Sequence, residues 1–235
     1  MRQVQTWHDL LFAHWPVPAA ALQPLVPAPL IIDEHDGTGW VGLIPFRMTG
    51  VRFLGLPALP GVSSFPEMNL RTYVVCEGQP GVWFFSLDAG SRLAVWAARR
   101  FYHLPYFHAA MHVDTRGGGV RYRSDRHGTR TPVRFAGTYW PTGAPAAAKP
   151  GSTAYFLTER YRLFAVDSMG GLFTLEIAHP RWPLQPAAAE IELNEVASAQ
   201  GVPAAAPVLL HFSRRLDVTI GRPGRARLPG SAASR

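Results

Sequence analysis

Residues 67–75 alternate in character, and that alternation constrains the chain more than any other stretch. Glu67, Asn69, Arg71 and Tyr73 point one way, and Met68, Leu70, Thr72 and Val74 point the other. A period of two over this length specifies a strand, because successive side chains leave opposite faces of a pleated backbone. One face is mostly apolar; the other carries an acid, an amide, a guanidinium and a phenol. Two placements fit it. The polar face meets solvent, as charged side chains ordinarily do, or it lines a polar cavity inside a barrel, where Arg71 would hold a carboxylate bidentately.

The next residues extend this unit. Glu77 to Gly81 (EGQPG) reads as a five-residue hairpin loop, with Pro and Gly supplying restricted and positive φ angles. Val82 to Leu87 reads as a second strand, apolar on both faces except at Ser86. Asp88 and Ser91 are N-cap candidates for a helix over Arg92 to Tyr102. Leu93, Trp96, Ala97 and Phe101 give it apolar faces to pack on the sheet. Pro105 ends the helical region.

Elsewhere the patterning predicts a short helix over Trp7–His14 capped by Thr6, and another over Ala19–Leu25. Strands are expected at Leu30–Asp33 and Gly39–Phe46 around an Asp36-Gly37 turn. Residues 47–64 form a long apolar connection, either a lid over a barrel mouth or a loop packed on the core. Strands follow at Tyr106–Val113, Val120–Ser124 and Val133–Tyr139, the last two forming a hairpin with Arg121, Arg123, Arg126, Arg130 and Arg134. Residues 141–151 read as a surface loop, Tyr155–Ala165 and Leu172–Ala178 as strands, and Ala187–Ala199 as a helix closed by Gly201. Val208–Ile220 supplies the last strand or two, and a basic tail, 221–235, reads as disordered.

At 235 residues the chain suits one domain, assigned to 1–220. The single cysteine, Cys76, cannot form an internal disulfide, which fits a reducing cytoplasm. No apolar run approaches the ~18 residues of a membrane span, so no membrane is expected as a partner. His108 and His112 share a strand face but lie about 13 Å apart, too far to chelate one ion, and His103 brings no acidic or cysteine ligand at metal spacing. Ser86, Asp88 and His103 or His108 lack the strand–turn–helix elbow of a serine hydrolase. No phosphate-binding or dinucleotide glycine pattern appears, so no cofactor is expected. The net charge of +7 comes almost entirely from arginine. Its distribution lacks the stacking aromatics of a nucleic-acid face, and a solvated basic surface accounts for it.

Six segments carry a resemblance: AHWPV (13–17), FPEMNLRTYV (65–74), FFSLDA (84–89), ARRFYHLPYFHA (98–109), LTERYRL (157–163) and HPRWPLQPA (179–187). Together, and in this order, they resemble the uncharacterised bacterial family DUF2071, which is similar in fold, more distantly, to acetoacetate decarboxylase. The resemblance implies an α+β protein built on a closed, mostly antiparallel β-barrel with a few flanking helices. In the decarboxylase a helix ends in a pattern like G-R-E-x-x-G-F/Y-P-K-K, whose first lysine forms a Schiff base and whose second depresses the pKa of the first. Residues 98–107 fall on that pattern, with Tyr106 and Phe107 at the lysine positions. An active-site acid in a Tyr-x-Glu segment matches Glu67 in Phe65-Pro66-Glu67. The one lysine, Lys149, lies in an Ala/Pro loop, without the desolvated or cationic setting that makes an amine nucleophilic. The resemblance therefore implies an inherited pocket without the Schiff-base mechanism.

Glu67 and Tyr106 are the candidate catalytic residues. Arg71, Asn69, Tyr73 and His108 are the candidate binding residues for a small anionic molecule. Glu67 serves as acid/base or fixes Arg71. Against this stands a structural Glu–Arg pair, or a non-catalytic interaction module whose barrel is filled by its own side chains. Ligand, reaction and oligomeric state are not specified by the sequence.

Overall fold

The computed structural model describes residues 2–55, 57–58 and 63–225. It is a mostly-strand α+β fold. In chain order the elements are β1 (Gln3–Val17), α1 (Ala19–Leu22), β2 (Ile31–Ile32), β3 (Gly39–Phe53), β4 (Phe65–Cys76), β5 (Gln79–Ala89), α2 (Arg92–Tyr102), β6 (Tyr106–Asp114), β7 (Val120–Arg126) and β8 (Arg134–Pro141). Then come α3 (Thr153–Thr158), β9 (Arg162–Val166), β10 (Leu172–Ala178), β11 (Gln185–Asn194), β12 (Leu209–Ile220) and β13 (Gly224–Arg225).

The strand pairings return on themselves twice. A shared run, β12-β1-β3-β4-β5, is joined end to end by β9 and β10 on one side and by β6, β7, β8 and β11 on the other. The split is made within single strands. The start of β5 pairs with β9 (Val82↔Leu163) and its end with β6 (Leu87↔Tyr106). Likewise, the start of β12 pairs with β11 (Phe212↔Gln185) and its end with β10 (Ile220↔Ile177). Only the β5–β6 and β5–β9 pairings among these are parallel.

The shared strands are therefore buried on both faces. Leu11, Ala13, Trp15, Leu43, Met68, Leu70 and Val74 face the β6–β7–β8–β11 side and pack with Tyr122, Phe135, Tyr139 and Phe212 into a filled core. Leu10, Phe12, Ile44, Phe46 and Leu87 face the β9–β10 side and join Leu163, Leu175 and Trp182 around a cavity. A bulge between Leu70 and Arg71 in the β4–β5 register shifts the alternation of β5 by one residue, so Leu87 joins Val82 and Phe84 on the hollow side while Phe85 packs on the filled one.

Several expectations are corrected. The segment 7–14 is part of a fifteen-residue strand, not a helix. Leu10, Leu11, Phe12 and Ala13 are all buried, so the sequence shows a run without alternation, which a two-face-buried strand and a helix share. Residues 187–194 belong to β11, paired with β8 from Ala187↔Pro141 to Asn194↔Phe135. This pairing overrides the helix preference of its alanines, and only Ser198–Gln200 form a helical turn. Tyr155–Ala165 divides into α3, capped by Ser152 Oγ accepting from Tyr155 N, and β9. The β4–β5 loop has two residues, not five. Glu77 and Gly78, at φ +52° and +70°, make the left-handed pair that suits strand twist. β3 continues to Phe53, well beyond Phe46. Of the lid or loop at 47–64, residues 56 and 59–62 lie outside the described residues, and Val51, Arg52, Pro57 and Ser63 line the cavity. Of the tail, Gly224–Arg225 pair with β10, and residues 226–235 lie outside the described residues.

Gly81 sits where β5 passes β9, and a Cβ there would lie 2.6 Å from the Phe164 ring and 3.1 Å from the Arg162 carbonyl oxygen. Gly81→Ala is expected to lower stability by about 1–3 kcal/mol, because a packed ring and a backbone must both shift. Denaturant midpoints of the two proteins measure this.

Candidate functional site

Strand β4 presents Phe65, Glu67, Asn69 and Arg71 to a cavity of about 360 Å³. The period of two does this, since Met68 and Leu70 are on the filled side. The wall is otherwise largely apolar, with Trp7, Phe12, Phe46, Phe84, Leu87 and Trp182 contributing from three strands and a loop. Helix α2 closes part of the open end with Ala94, Ala97 and Tyr102.

Glu67 is the best-held of the polar groups. Its side chain is buried, and Oε2 accepts a 2.6 Å hydrogen bond from the Tyr106 hydroxyl. Its backbone carbonyl accepts from Tyr122 Oη at 2.8 Å, a hydroxyl that also lies 3.2 Å from the Phe46 carbonyl. Burial pushes the Glu67 carboxyl up to about 8; the Tyr106 hydrogen bond opposes this, and the nearby Asp88 adds to it. Glu67 is thus a neutral acid at neutral pH. The Tyr106 hydroxyl is pushed well above its ordinary range by burial and by Glu67, so it stays a donor.

Arg71 does not pair with Glu67. Its Nη2 donates to the Leu157 carbonyl at 3.1 Å, its Nε donates to Tyr73 Oη at 3.3 Å, and its guanidinium carbon lies 5.7 Å from the Phe12 ring centroid and 5.5 Å from that of Tyr73. Among the described residues no carboxylate forms an ion pair with it. The structural Glu–Arg pair is therefore not formed. Tyr73 lies on the same face of β4 but does not reach the cavity. It is fully buried, 2.7 Å from His14 Nε2, and supports Arg71 from behind. Asn69 lines the wall between Glu67 and Arg71.

His108 is not brought to this site. Only Tyr106, the opening residue of β6, reaches the cavity. From Ala109 onward β6 pairs with β7, and the His108 ring stacks on His127 at 4.8 Å. Alternation alone would have kept Tyr106 and His108 together, but the strand leaves the cavity between them.

Some members of the site are not singled out by patterning, although they lie in two of the segments that carry the family resemblance. Thr158, Arg160, His179 and Trp182 line the cavity from segments read as a strand and a surface wrap. Arg160 is held by Asp33 at 2.6 Å and lies 4.1 Å over the Phe156 ring. His179 Nδ1 donates to the Pro180 carbonyl, and burial lowers its pKa. Arg126, read as part of a basic surface hairpin, is buried behind β5. It donates from Nε to Asp88 Oδ1 at 2.7 Å and from Nη2 to Ser86 Oγ at 3.1 Å, and sits 4.1 Å over Phe107. Ser86 and Asp88 are thereby committed to an arginine.

The Glu67 carboxyl couples stability to pH. Below about pH 4.5 it is protonated folded and unfolded, and costs nothing. Between there and about 8 only the unfolded chain releases the proton, so stability falls as pH rises through this window. The loss is roughly 4–5 kcal/mol, from the size of the shift. Glu67→Gln should flatten this slope, narrowing its stability deficit, or gaining on the wild type, from pH 5 to pH 8 in urea titrations.

Comparison with known proteins gives this geometry its relatives. An uncharacterized protein, YqjF, from Bacillus subtilis (strain 168) is 46% identical over 216 residues, covering 91% of this chain and 88% of its own. The acetoacetate decarboxylase of Legionella pneumophila superposes with a TM-score of 0.68 at 13% identity, covering 95% of this chain and 87% of its own. The enduracididine biosynthesis enzyme MppR, solved in complex with pyruvate, superposes with a TM-score of 0.65 at 11% identity, covering 95% and 90%. At such identities the two structures share the fold with this chain. The family model of the uncharacterized conserved proteins DUF2071 matches residues 4–217, and the chain belongs to that family.

Proposed function

We propose that this protein binds a small carboxylic acid with an apolar body in the cavity beside β4, and that Glu67 transfers a proton to or from it. One observation carries the reading: Arg71 stands on the wall of an apolar cavity without a carboxylate partner among the described residues, on the same strand face as a neutral acid. A guanidinium in that position is matched by a ligand carboxylate, which it can hold with two parallel hydrogen bonds. In this reading residues 1–220 are one domain. The hollow side is the lumen of a closed barrel, and the free, buried Cys76 fits a cytoplasmic protein.

The roles follow from position. Arg71 anchors the carboxylate, with Tyr73 and the Leu157 carbonyl orienting the guanidinium. Glu67 and Arg71 are separated by roughly 13 Å of strand, so an anchored ligand extends along Asn69 toward the acid. Glu67, carrying its proton, acts as general acid toward a carbonyl or leaving oxygen, and Tyr106 steadies the carboxylate that remains. An elevated pKa near the operating pH suits such a donor. The pyruvate of MppR supports the substrate class, since it is a carboxylate held by the same fold. A Schiff base is not part of this mechanism, because no lysine lines the cavity and Lys149 is exposed in the loop before α3.

Two experiments test the proposal. In calorimetric titrations with short-chain and aromatic carboxylic acids, Arg71→Ala should weaken binding by about 10–100-fold, the scale of a charge-assisted contact. Methyl esters of the same acids should bind the wild type as weakly as the acids bind the variant. Equal binding of acid and ester would sink the assignment. In the second, borohydride is added with pyruvate and the intact mass is measured. The cavity is expected to give no reduced adduct, whereas an adduct mapped to a cavity residue would restore imine chemistry.

A further inference from the structure

Helix α2 faces two ways. Val95 is buried, and Ala94, Ala97, Ala98 and Tyr102 line the cavity. Leu93, Trp96 and Phe101 keep 51%, 57% and 56% of their surface exposed, which is unusual for three large apolar side chains on one short helix. Trp96 and Phe101 meet edge to face at 5.9 Å, so they form one surface. Leu93 and Phe101 also belong to the cavity lining, as do the exposed Arg52 and Pro57. Residues that both line the cavity and meet solvent mark its mouth. Leu54, 61% exposed, lies in the same rim segment between Arg52 and Pro57.

The charge of this surface is one-sided. α2 carries Arg92, Arg99 and Arg100 and no acidic residue. Arg99 Nε donates to the Tyr106 carbonyl, and Arg100 lies 5.8 Å from the Phe101 ring centroid. Among the described residues, none of the three forms an ion pair with a carboxylate. A second copy of this chain is a poor occupant, because a two-fold contact through α2 would set arginines against arginines. An exposed tryptophan with leucine and phenylalanine beside it, flanked by unpaired arginines, has the chemistry of a segment lying in a lipid headgroup layer. Arginines there meet lipid phosphates.

We infer that the α2 face, at the mouth of the cavity, docks on the surface of an anionic lipid bilayer. Leu93, Trp96 and Phe101 enter the interface, and Arg92 and Arg100 contact phosphate groups. The protein lies on the membrane and does not span it. Because the docking face and the mouth coincide, an apolar carboxylic acid passes between bilayer and cavity without crossing bulk water. That last consequence rests on the proposed function; the docking surface does not.

The test is co-sedimentation with phosphatidylcholine vesicles, with and without phosphatidylglycerol. Wild type is expected to pellet with the anionic vesicles only, and less as salt is raised, since screening shortens the reach of the arginines. The double variants Leu93→Ser/Trp96→Ser and Arg92→Glu/Arg100→Glu, checked for fold by circular dichroism, should each lower the bound fraction about tenfold. Arg71→Ala should bind vesicles like wild type while losing the carboxylic acid, so failure of the ligand site and failure of the docking face are read separately. The inference is overturned if wild type stays in the supernatant with both vesicles, or if charge reversal leaves pelleting unchanged. It is equally overturned if sedimentation velocity shows a dimer that Leu93→Ser/Trp96→Ser dissociates.

Discussion

The architecture depends on strand β4 being buried on both faces with opposite chemistry on each. Met68, Leu70 and Val74 fill one core, and Glu67, Asn69 and Arg71 line a cavity. A one-residue slip would exchange these sets, pressing a carboxyl and a guanidinium into tightly packed hydrocarbon, where neither would find a partner. Register is therefore under strong selection by energy alone. Several contacts hold it: the tight Glu77-Gly78 turn, Thr72 Oγ1 donating to the Trp40 carbonyl at 2.8 Å, and Tyr122 clamping the Glu67 carbonyl. The bulge opposite Leu70 and Arg71 lets β5 serve both sides without disturbing β4.

Two buried acids show how neighbours assign roles. Asp88 and Glu67 are both pushed upward by burial, to about 6 and about 8. Asp88 has a guanidinium in contact, which draws it back toward ionisation, and that pair is closed off by Ser86 and Phe107. Glu67 has only a phenol, which cannot supply charge, so it keeps its proton. The paired acid is committed to holding β7 against β5. The one left neutral at the wall of an open space is free to act on something else.

Much of this was legible in the sequence where one physical signal dominated. β4, the existence of the β4–β5 hairpin and α2 followed from clean alternation, a Pro/Gly turn signal and a capped amphipathic run, although the hairpin loop is shorter than EGQPG suggests. Glu67, Arg71 and Tyr106 followed from that strand and from the family resemblance. β1 did not, because burial on both faces erases alternation. β11 did not, because its alanines take strand geometry only through pairing with β8. His108 lies off the cavity, because period two says nothing about where a strand leaves it. Tyr122 comes from a distant segment, and nothing local distinguishes it from an ordinary core residue. Arg160, His179 and Trp182 lie within LTERYRL and HPRWPLQPA, two segments that carry the family resemblance, but their patterning gives a strand and a surface wrap with no sign that they reach a cavity. A solvent-facing β4 was the bland alternative, and only the tertiary fold decides against it.

The twofold closure of the strand pairings has an evolutionary consequence. Packing is concentrated on one side of the shared strands and open space on the other. Substitutions around the cavity therefore leave the filled core in place, and that core carries much of the folding free energy. A lineage can then exchange the polar groups on the wall, or reshape it for a different guest, and still fold. Such a scaffold separates the margin needed for stability from the freedom needed for new chemistry. This accounts in physical terms for how chains with so little sequence in common retain one shape.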